Sequence, residues 1–196
     1  MAQTIGPLVQ GRRSLGGRAY VAMATAMLLA ATATGAALGL FANVAELSLV
    51  PTGLRLVALS VIAAVWIPHE LGLIRLPMLQ RERQVPIDWR TRRGPIVGSA
   101  MYGAVLGVGF LTFVGHTGLY VVLAAAVLLA SPELGALLFF TYATGRMTAV
   151  TLETIAQTRS PDWYFGLLNS RTMTARAQAA ALALIAVLAA GTALHS

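Results

Sequence analysis

Residues 96–131 read IVGSAMYGAVLGVGFLTFVGHTGLYVVLAAAVLLAS and contain no aspartate, glutamate, lysine or arginine. A membrane helix needs about 20 apolar residues, so this stretch of about 35 is too long for one straight crossing. It is interrupted at Gly115-His116-Thr117-Gly118. Two interpretations stay open: two helices meet there in a tight hairpin, or one crossing is broken in mid-membrane.

The composition indicates that lipid is the solvent for most of the chain. It is 57% hydrophobic and 11% charged, whereas a soluble domain is about 45–50% apolar and about a quarter charged. The mean hydropathy is +0.74. These values exclude a water-soluble enzyme, a secreted domain and a disordered tail. They predict an all-α, polytopic integral membrane helix bundle.

Charge and cysteine content restrict the chemistry. The sequence has no cysteine, which excludes disulfides, thiolate metal sites and iron–sulfur clusters. The net charge of +7 comes from arginines grouped in short runs beside apolar stretches. This grouping is typical of the positive-inside rule and of contact with anionic lipid headgroups. The predicted partner is therefore the lipid bilayer, and no nucleic acid is expected.

The chain divides into four segments by charge and hydropathy. They are a cytoplasmic polar leader (1–18), a two-helix N-terminal membrane unit (19–74), a basic cytoplasmic loop (75–95) and a C-terminal membrane unit (96–196). A Ser-Pro-Asp start at Ser160 predicts a short interfacial helix over 161–169 within the last segment.

The arginines that follow the long uncharged stretch favour the broken helix over the hairpin. With a hairpin, the basic segment between Arg159 and Arg176 would lie outside, against the positive-inside rule. With a broken third helix it lies inside. The prediction is five crossings, with the N-terminus in the cytoplasm of a bacterium and the bundle in its inner membrane. The hairpin alternative gives six crossings.

Glycines and aromatic residues recur in a distinctive order after the basic loop. The sequence reads RRGP at 92–95, YG at 102–103, GVGFLTFVG at 107–115 and YATGR at 142–146. This pattern resembles the second half of the cytochrome c biogenesis thiol transporters of the CcdA/DsbD type. The resemblance implies a glycine-rich helix that breaks in mid-membrane.

The redox residues of those transporters have no counterpart here. The motif's proline is absent, and Phe113 and Val114 stand near the place of its cysteine. The resemblance therefore implies a related helix core without thiol redox chemistry.

Arg146 is the most informative candidate for a substrate or ion path. It lies about eleven residues into an apolar span of about 22, where a charge costs about 2.5–3.5 kcal/mol. Glu153 follows seven residues later, on the same helix face. Either Arg146 pairs with Glu153, Glu70 or free backbone carbonyls, or it meets an anionic group or gates a path.

The predicted break supplies the other residues of this path. A helix end in lipid leaves amides and carbonyls that protein or water must meet, and transporters bind substrate at such breaks. The candidates are Thr112, Gly115, His116 and Thr117.

His69 and Glu70 are secondary candidates. They follow Pro68 near the inner end of the second helix. As neighbours they point to different faces, so a shared metal site is not expected. Polar capping at a proline kink is the alternative interpretation.

Two G-x-x-x-G pairs predict close helix packing. They are Gly35 with Gly39, and Gly103 with Gly107. Packing within the chain is the first interpretation, and a homo-oligomer or a face for a larger membrane complex is the second.

These patterns predict a small-solute transporter or permease component without catalytic residues, metal or cofactor. The alternative is a non-catalytic membrane subunit or scaffold within a larger membrane complex. No nucleophile–base pair or metal-spaced cluster is apparent in the sequence, so an enzyme is not expected.

Overall fold

The computed structural model describes residues 13–74, 76–77, 93–109, 117–159 and 171–194. This part of the chain contains helices and turns but no strand, which confirms the all-helical prediction. The helices are α1 (Arg13–Val44), α2 (Thr52–Glu70), α3 (Pro95–Val108), α4 (Gly118–Leu129), α5 (Pro132–Arg159) and α6 (Arg171–Ala193), with a 3-10 turn at Leu47–Leu49.

Three of these helices are long and apolar enough to cross a membrane: α1 over Gly16–Val44, α2, and α6 over Ala175–Ala193. Large apolar side chains remain exposed along them, including Leu29, Val61 and Leu188. Helices α3 and α4 have 14 and 12 residues. At 1.5 Å per residue they extend about 21 and 18 Å, less than the roughly 30 Å of a hydrocarbon core.

The chain divides into two compact units. The first consists of Met1–Thr34, Gln80–Phe113 and Phe140–Asn169, and the second of Gly35–Leu79, Val114–Phe139 and Ser170–Ser196. Helices α1 and α5 each contribute residues to both units.

In the first unit, glycines bring α3 against α1. A Cβ atom on Gly103 would lie 2.1 Å from the carbonyl oxygen of Met23. A Cβ atom on Gly107 would lie 2.3 Å from that of Met27. Because both obstacles are backbone atoms, only glycine permits this approach.

In the second unit, the end of α1 packs against the start of α5 in the same way. A Cβ atom on Gly35 would lie 2.1 Å from the carbonyl oxygen of Gly135, and one on Gly39 would lie 2.2 Å from that of Ser131. Ser131 also begins α5, since its hydroxyl accepts the Leu134 amide at 3.2 Å. Pro132 then occupies the first helical position, where no amide is needed.

The apolar core of the second unit lies among α2, α4 and α6. Its buried members come in pairs from each helix: Leu59 and Ala63, Val121 and Ala125, and Leu182 and Ala189.

The interruption of the long uncharged stretch begins earlier than the sequence predicts. Helix α3 ends at Val108, and Gly109 has φ +87°, a conformation that glycine adopts without the penalty of a Cβ atom. The interruption predicted from the uncharged stretch alone is at Gly115, six residues later. The predicted interfacial helix over 161–169 lies outside the described residues.

Candidate functional site

Glu70 holds the start of α4. Its Oε1 accepts the backbone amide of Thr117 at 2.7 Å and the Thr117 hydroxyl at 2.6 Å. Thr117 immediately precedes α4 and is 1% exposed. The amides of a first helical turn have no partner within the helix, and the dipole there favours a negative charge. The Glu70 carboxylate satisfies both requirements.

Arg55 holds the other end of α4. Its Nη1 donates to the carbonyl oxygens of Leu128 and Leu129 at 3.1 and 3.3 Å, and its Nη2 donates to the Thr52 hydroxyl at 3.1 Å. These carbonyls belong to the last turn of α4, where no amide follows to meet them. The guanidinium also matches the negative end of the helix dipole.

Both capping side chains come from α2, which therefore runs antiparallel to α4. Arg55 and Glu70 are fifteen positions apart, or about 22 Å along α2, and α4 is about 18 Å long. Between the two ends, Trp66 stacks on Tyr120 with ring centroids 4.9 Å apart and planes 14° apart. We call this arrangement the α2–α4 clamp: Arg55 on Leu128 and Leu129, and Glu70 on Thr117.

His69 holds the segment that follows its own helix. Its Nδ1 accepts the Leu76 amide at 2.9 Å. The ring also meets Trp66 edge-on, with centroids 5.5 Å apart. His69 and Glu70 therefore serve different backbone segments. Within the described ranges, no three histidine, aspartate or glutamate side chains are grouped as metal ligands would be.

Arg146 faces the end of α3 in the first unit. Its Nη1 donates to the Leu106 carbonyl oxygen at 3.5 Å, and Leu106 lies in the last turn of α3. The guanidinium also acts electrostatically on the phenols of Tyr142 and Tyr102. The sequence left open whether Arg146 pairs with an acid, pairs with a free backbone carbonyl or has a role in a path. The described hydrogen bond is to a backbone carbonyl.

The remaining predicted path residues cannot be compared with the structure. Thr112, Gly115 and His116 lie outside the described residues, as does the side chain of Glu153, whose backbone belongs to α5. Of the path and secondary candidates, the structure brings together Glu70 and Thr117.

The ionisable side chains described above in the two units share one chemical role. Arg55, His69, Glu70 and Arg146 each bond to a backbone group at or just beyond a helix end. Sequence reasoning did not select Arg55. The available signal was a lone arginine within an apolar run on the side where the positive-inside rule expects none.

The three long apolar helices define an all-helical, membrane-associated protein. The chain is similar to proteins named methylamine utilization protein MauF. It is 31% identical over 153 residues to the one from Methylophilus methylotrophus, covering 72% of this chain and 51% of that relative. It is 41% identical over 100 residues to the one from Paracoccus versutus, covering 51% and 36%.

The similarity covers only part of each relative. With the relative from Methylorubrum extorquens, identity is 42% over 78 residues, or 40% of this chain and 27% of that protein. The chain thus spans about half or less of the length of these relatives. No known family profile matches the chain. No solved structure matches it either.

The resemblance to the CcdA/DsbD-type thiol transporters is wrong. The relatives carry the MauF name, and no family profile supports the thiol transporters. The glycines that carried the resemblance have a packing role, since Gly103 and Gly107 meet the backbone of α1. Small residues at this spacing are common wherever membrane helices pack closely, so they do not identify a family.

Proposed function

We propose that this chain is a multi-pass membrane protein that serves methylamine utilization as a non-catalytic accessory subunit. The name of the relatives supports the process. The observation that carries the accessory role is the use of Arg55, Glu70 and Arg146 to hold helix ends, with His69 holding the segment after α2. These side chains act as internal supports of a scaffold.

This proposal reverses the order that the sequence suggested, in which a solute transporter came first. A transporter needs polar groups that are free to meet a solute near the membrane midplane. Here Thr117 is buried, and both its amide and its hydroxyl are bonded to Glu70. Arg146 donates to the Leu106 carbonyl oxygen. These contacts favour the scaffold, and transport becomes an outcome of the test below.

The α2–α4 clamp supports a proposed topology of five crossings. The positive-inside rule places the basic loop 75–95, and with it the Glu70 end of α2, on the cytoplasmic side. Because α4 is antiparallel to α2, α4 begins on that side and ends on the outer side. In this topology α1, α2, α5 and α6 cross the bacterial inner membrane, the interrupted stretch 96–131 supplies the remaining crossing, and the N-terminus is cytoplasmic.

Thiol labelling in this cysteine-free chain tests the topology. We expect Glu133→Cys to react with a membrane-impermeant maleimide in intact spheroplasts, because Glu133 follows α4 on the outer side. Glu46→Cys is the matched outer control, and Arg93→Cys should react only after permeabilisation. If Glu133→Cys behaves like Arg93→Cys, α4 ends inside and the six-crossing hairpin is correct.

Gene deletion separates the accessory role from transport. In a methylotrophic bacterium that carries this chain, deletion should abolish growth on methylamine while growth on succinate with ammonium continues. Uptake of labelled methylammonium by resting cells should be unchanged, because a scaffold moves no solute. A parallel loss of uptake would favour a transporter and contradict the accessory role.

Complementation with Arg146→Met sharpens this experiment. The substitution loses a long hydrogen bond worth about 1 kcal/mol and removes a charge that costs about 2.5–3.5 kcal/mol in lipid. We therefore expect a folded protein that restores growth on methylamine. A variant that accumulates normally but fails to restore growth would show that Arg146 acts on something beyond the helix end.

A further inference from the structure

A partly open cavity of about 210 Å³ lies at the Arg55 end of the α2–α4 clamp. Its lining combines one guanidinium and one hydroxyl with leucines from α2, α4 and α5: Thr52, Arg55, Leu56, Leu59, Leu128, Leu129 and Leu134. Thr52 and Leu134 are exposed, so they lie where the cavity meets its surroundings. We infer that this cavity binds an anionic phospholipid, with the phosphate at Arg55 and part of an acyl chain on the leucines.

The positive charge of Arg55 favours an anionic ligand in this cavity. Its Nη atoms are bonded to neutral oxygens, and its Nε is buried without an acceptor in the described part of the chain. Neither the hydroxyl nor the carbonyls neutralise the positive charge. A phosphate beside the guanidinium supplies the missing negative charge.

The nearest acid in sequence to the lining does not take this role. Glu133 precedes Leu134 but is exposed, and its Oε2 accepts the Ser131 hydroxyl at 2.8 Å. No ion pair between Arg55 and a carboxylate occurs among the residues that the structure describes.

The size and lining of the cavity favour a lipid over free phosphate. An apolar cavity of about 150 Å³ is large enough to bind benzene. The cavity beside Arg55 is larger, at about 210 Å³. The position agrees with a headgroup site, because Arg55 is three residues from the start of α2, about 5 Å along the helix. Basic pockets between membrane helices on the cytoplasmic side bind anionic headgroups, and this cavity offers one guanidinium and an apolar lining for the same chemistry at the outer end of α2.

Lipid retention measured by native mass spectrometry tests the site. The purified full chain is delipidated in detergent and incubated with phosphatidylglycerol, phosphatidylcholine or inorganic phosphate. We expect phosphatidylglycerol to be retained at least tenfold more than phosphatidylcholine, with no adduct from inorganic phosphate. Arg55→Gln should reduce phosphatidylglycerol retention to the phosphatidylcholine level, whereas Arg176→Gln, which changes an exposed arginine of α6, should leave it unchanged.

A second variant keeps Arg55 and its helix cap intact. Leu134 is 44% exposed, so Leu134→Trp should fill the cavity mouth without disturbing the core, and it should also reduce phosphatidylglycerol retention at least tenfold. Equal retention of the two lipids by the wild-type chain would overturn the proposal. So would full retention in Leu134→Trp, or in Arg55→Gln with its helical circular dichroism preserved. An adduct with inorganic phosphate alone would show an anion site without a lipid chain and would overturn the lipid assignment.

Discussion

Replacing Glu70 with alanine should lower the free energy of unfolding by about 3–6 kcal/mol. The carboxylate accepts two hydrogen bonds from Thr117, at 2.7 and 2.6 Å, and hydrogen bonds to a charged group contribute about 1.5–3 kcal/mol each. Alanine removes both bonds and leaves the buried Thr117 hydroxyl and amide without that acceptor. Reversible unfolding in mixed detergent micelles measures the loss.

The conservative variant and a matched surface acid serve as controls for Glu70. Glu70→Gln keeps one acceptor oxygen but not the charge, so its loss should be about half that of alanine. Glu46→Gln changes an exposed acid in the turn after α1 and should stay within about 0.5 kcal/mol of wild type. If Glu70→Ala is as mild as Glu46→Gln, Glu70 does not hold α4.

Replacing Gly103 with alanine should destabilise the first unit by about 2–3 kcal/mol. The new Cβ atom would stand 2.1 Å from the Met23 carbonyl oxygen, and neither helix backbone can yield without moving α3 away from α1. Added atoms at a tight contact usually cost about 1–3 kcal/mol, and a backbone obstacle places this site in the upper part of that range. Reversible unfolding in mixed detergent micelles measures this loss as well.

Gly145 provides the matched control for Gly103. It also lies inside a helix, α5, but nothing stands within 4 Å of the position that a Cβ atom would take. Gly145→Ala should therefore stabilise the protein by about 0.5–1 kcal/mol, the ordinary gain from replacing a helical glycine. Equal effects of the two alanines would mean that α3 does not meet α1 at Gly103.

The sequence predicts well what depends on local composition. Charge-free runs and arginine clusters indicate a helical membrane protein, because burial in lipid requires low charge over about 20 residues. The spacing of Gly103 and Gly107 indicates close packing. It does not indicate the partner, because the contact with Met23 and Met27 joins segments far apart in the chain.

The clamp could not be predicted because its partners lie far apart in the sequence and most of them are backbone groups. Arg55 and Leu128 are separated by 73 positions, and Glu70 and Thr117 by 47. Arg55 and Arg146 bond to backbone carbonyls, which every residue carries, so no side-chain identity marks the partner. The mistaken link to thiol transporters has a related cause: a glycine pattern reports helix packing and says nothing about the chemistry carried out.

Helix α2 holds α4 through Glu70 and Arg55. A double-mutant cycle on Glu70→Ala and Thr117→Val tests this contact, because both changes remove the same 2.6 Å hydrogen bond. We predict a coupling free energy of at least about 1 kcal/mol, within the range for residues in contact. If the loss in the double mutant equals the sum of the two single losses to within about 0.3–0.5 kcal/mol, as it does for separated sites, the clamp is contradicted.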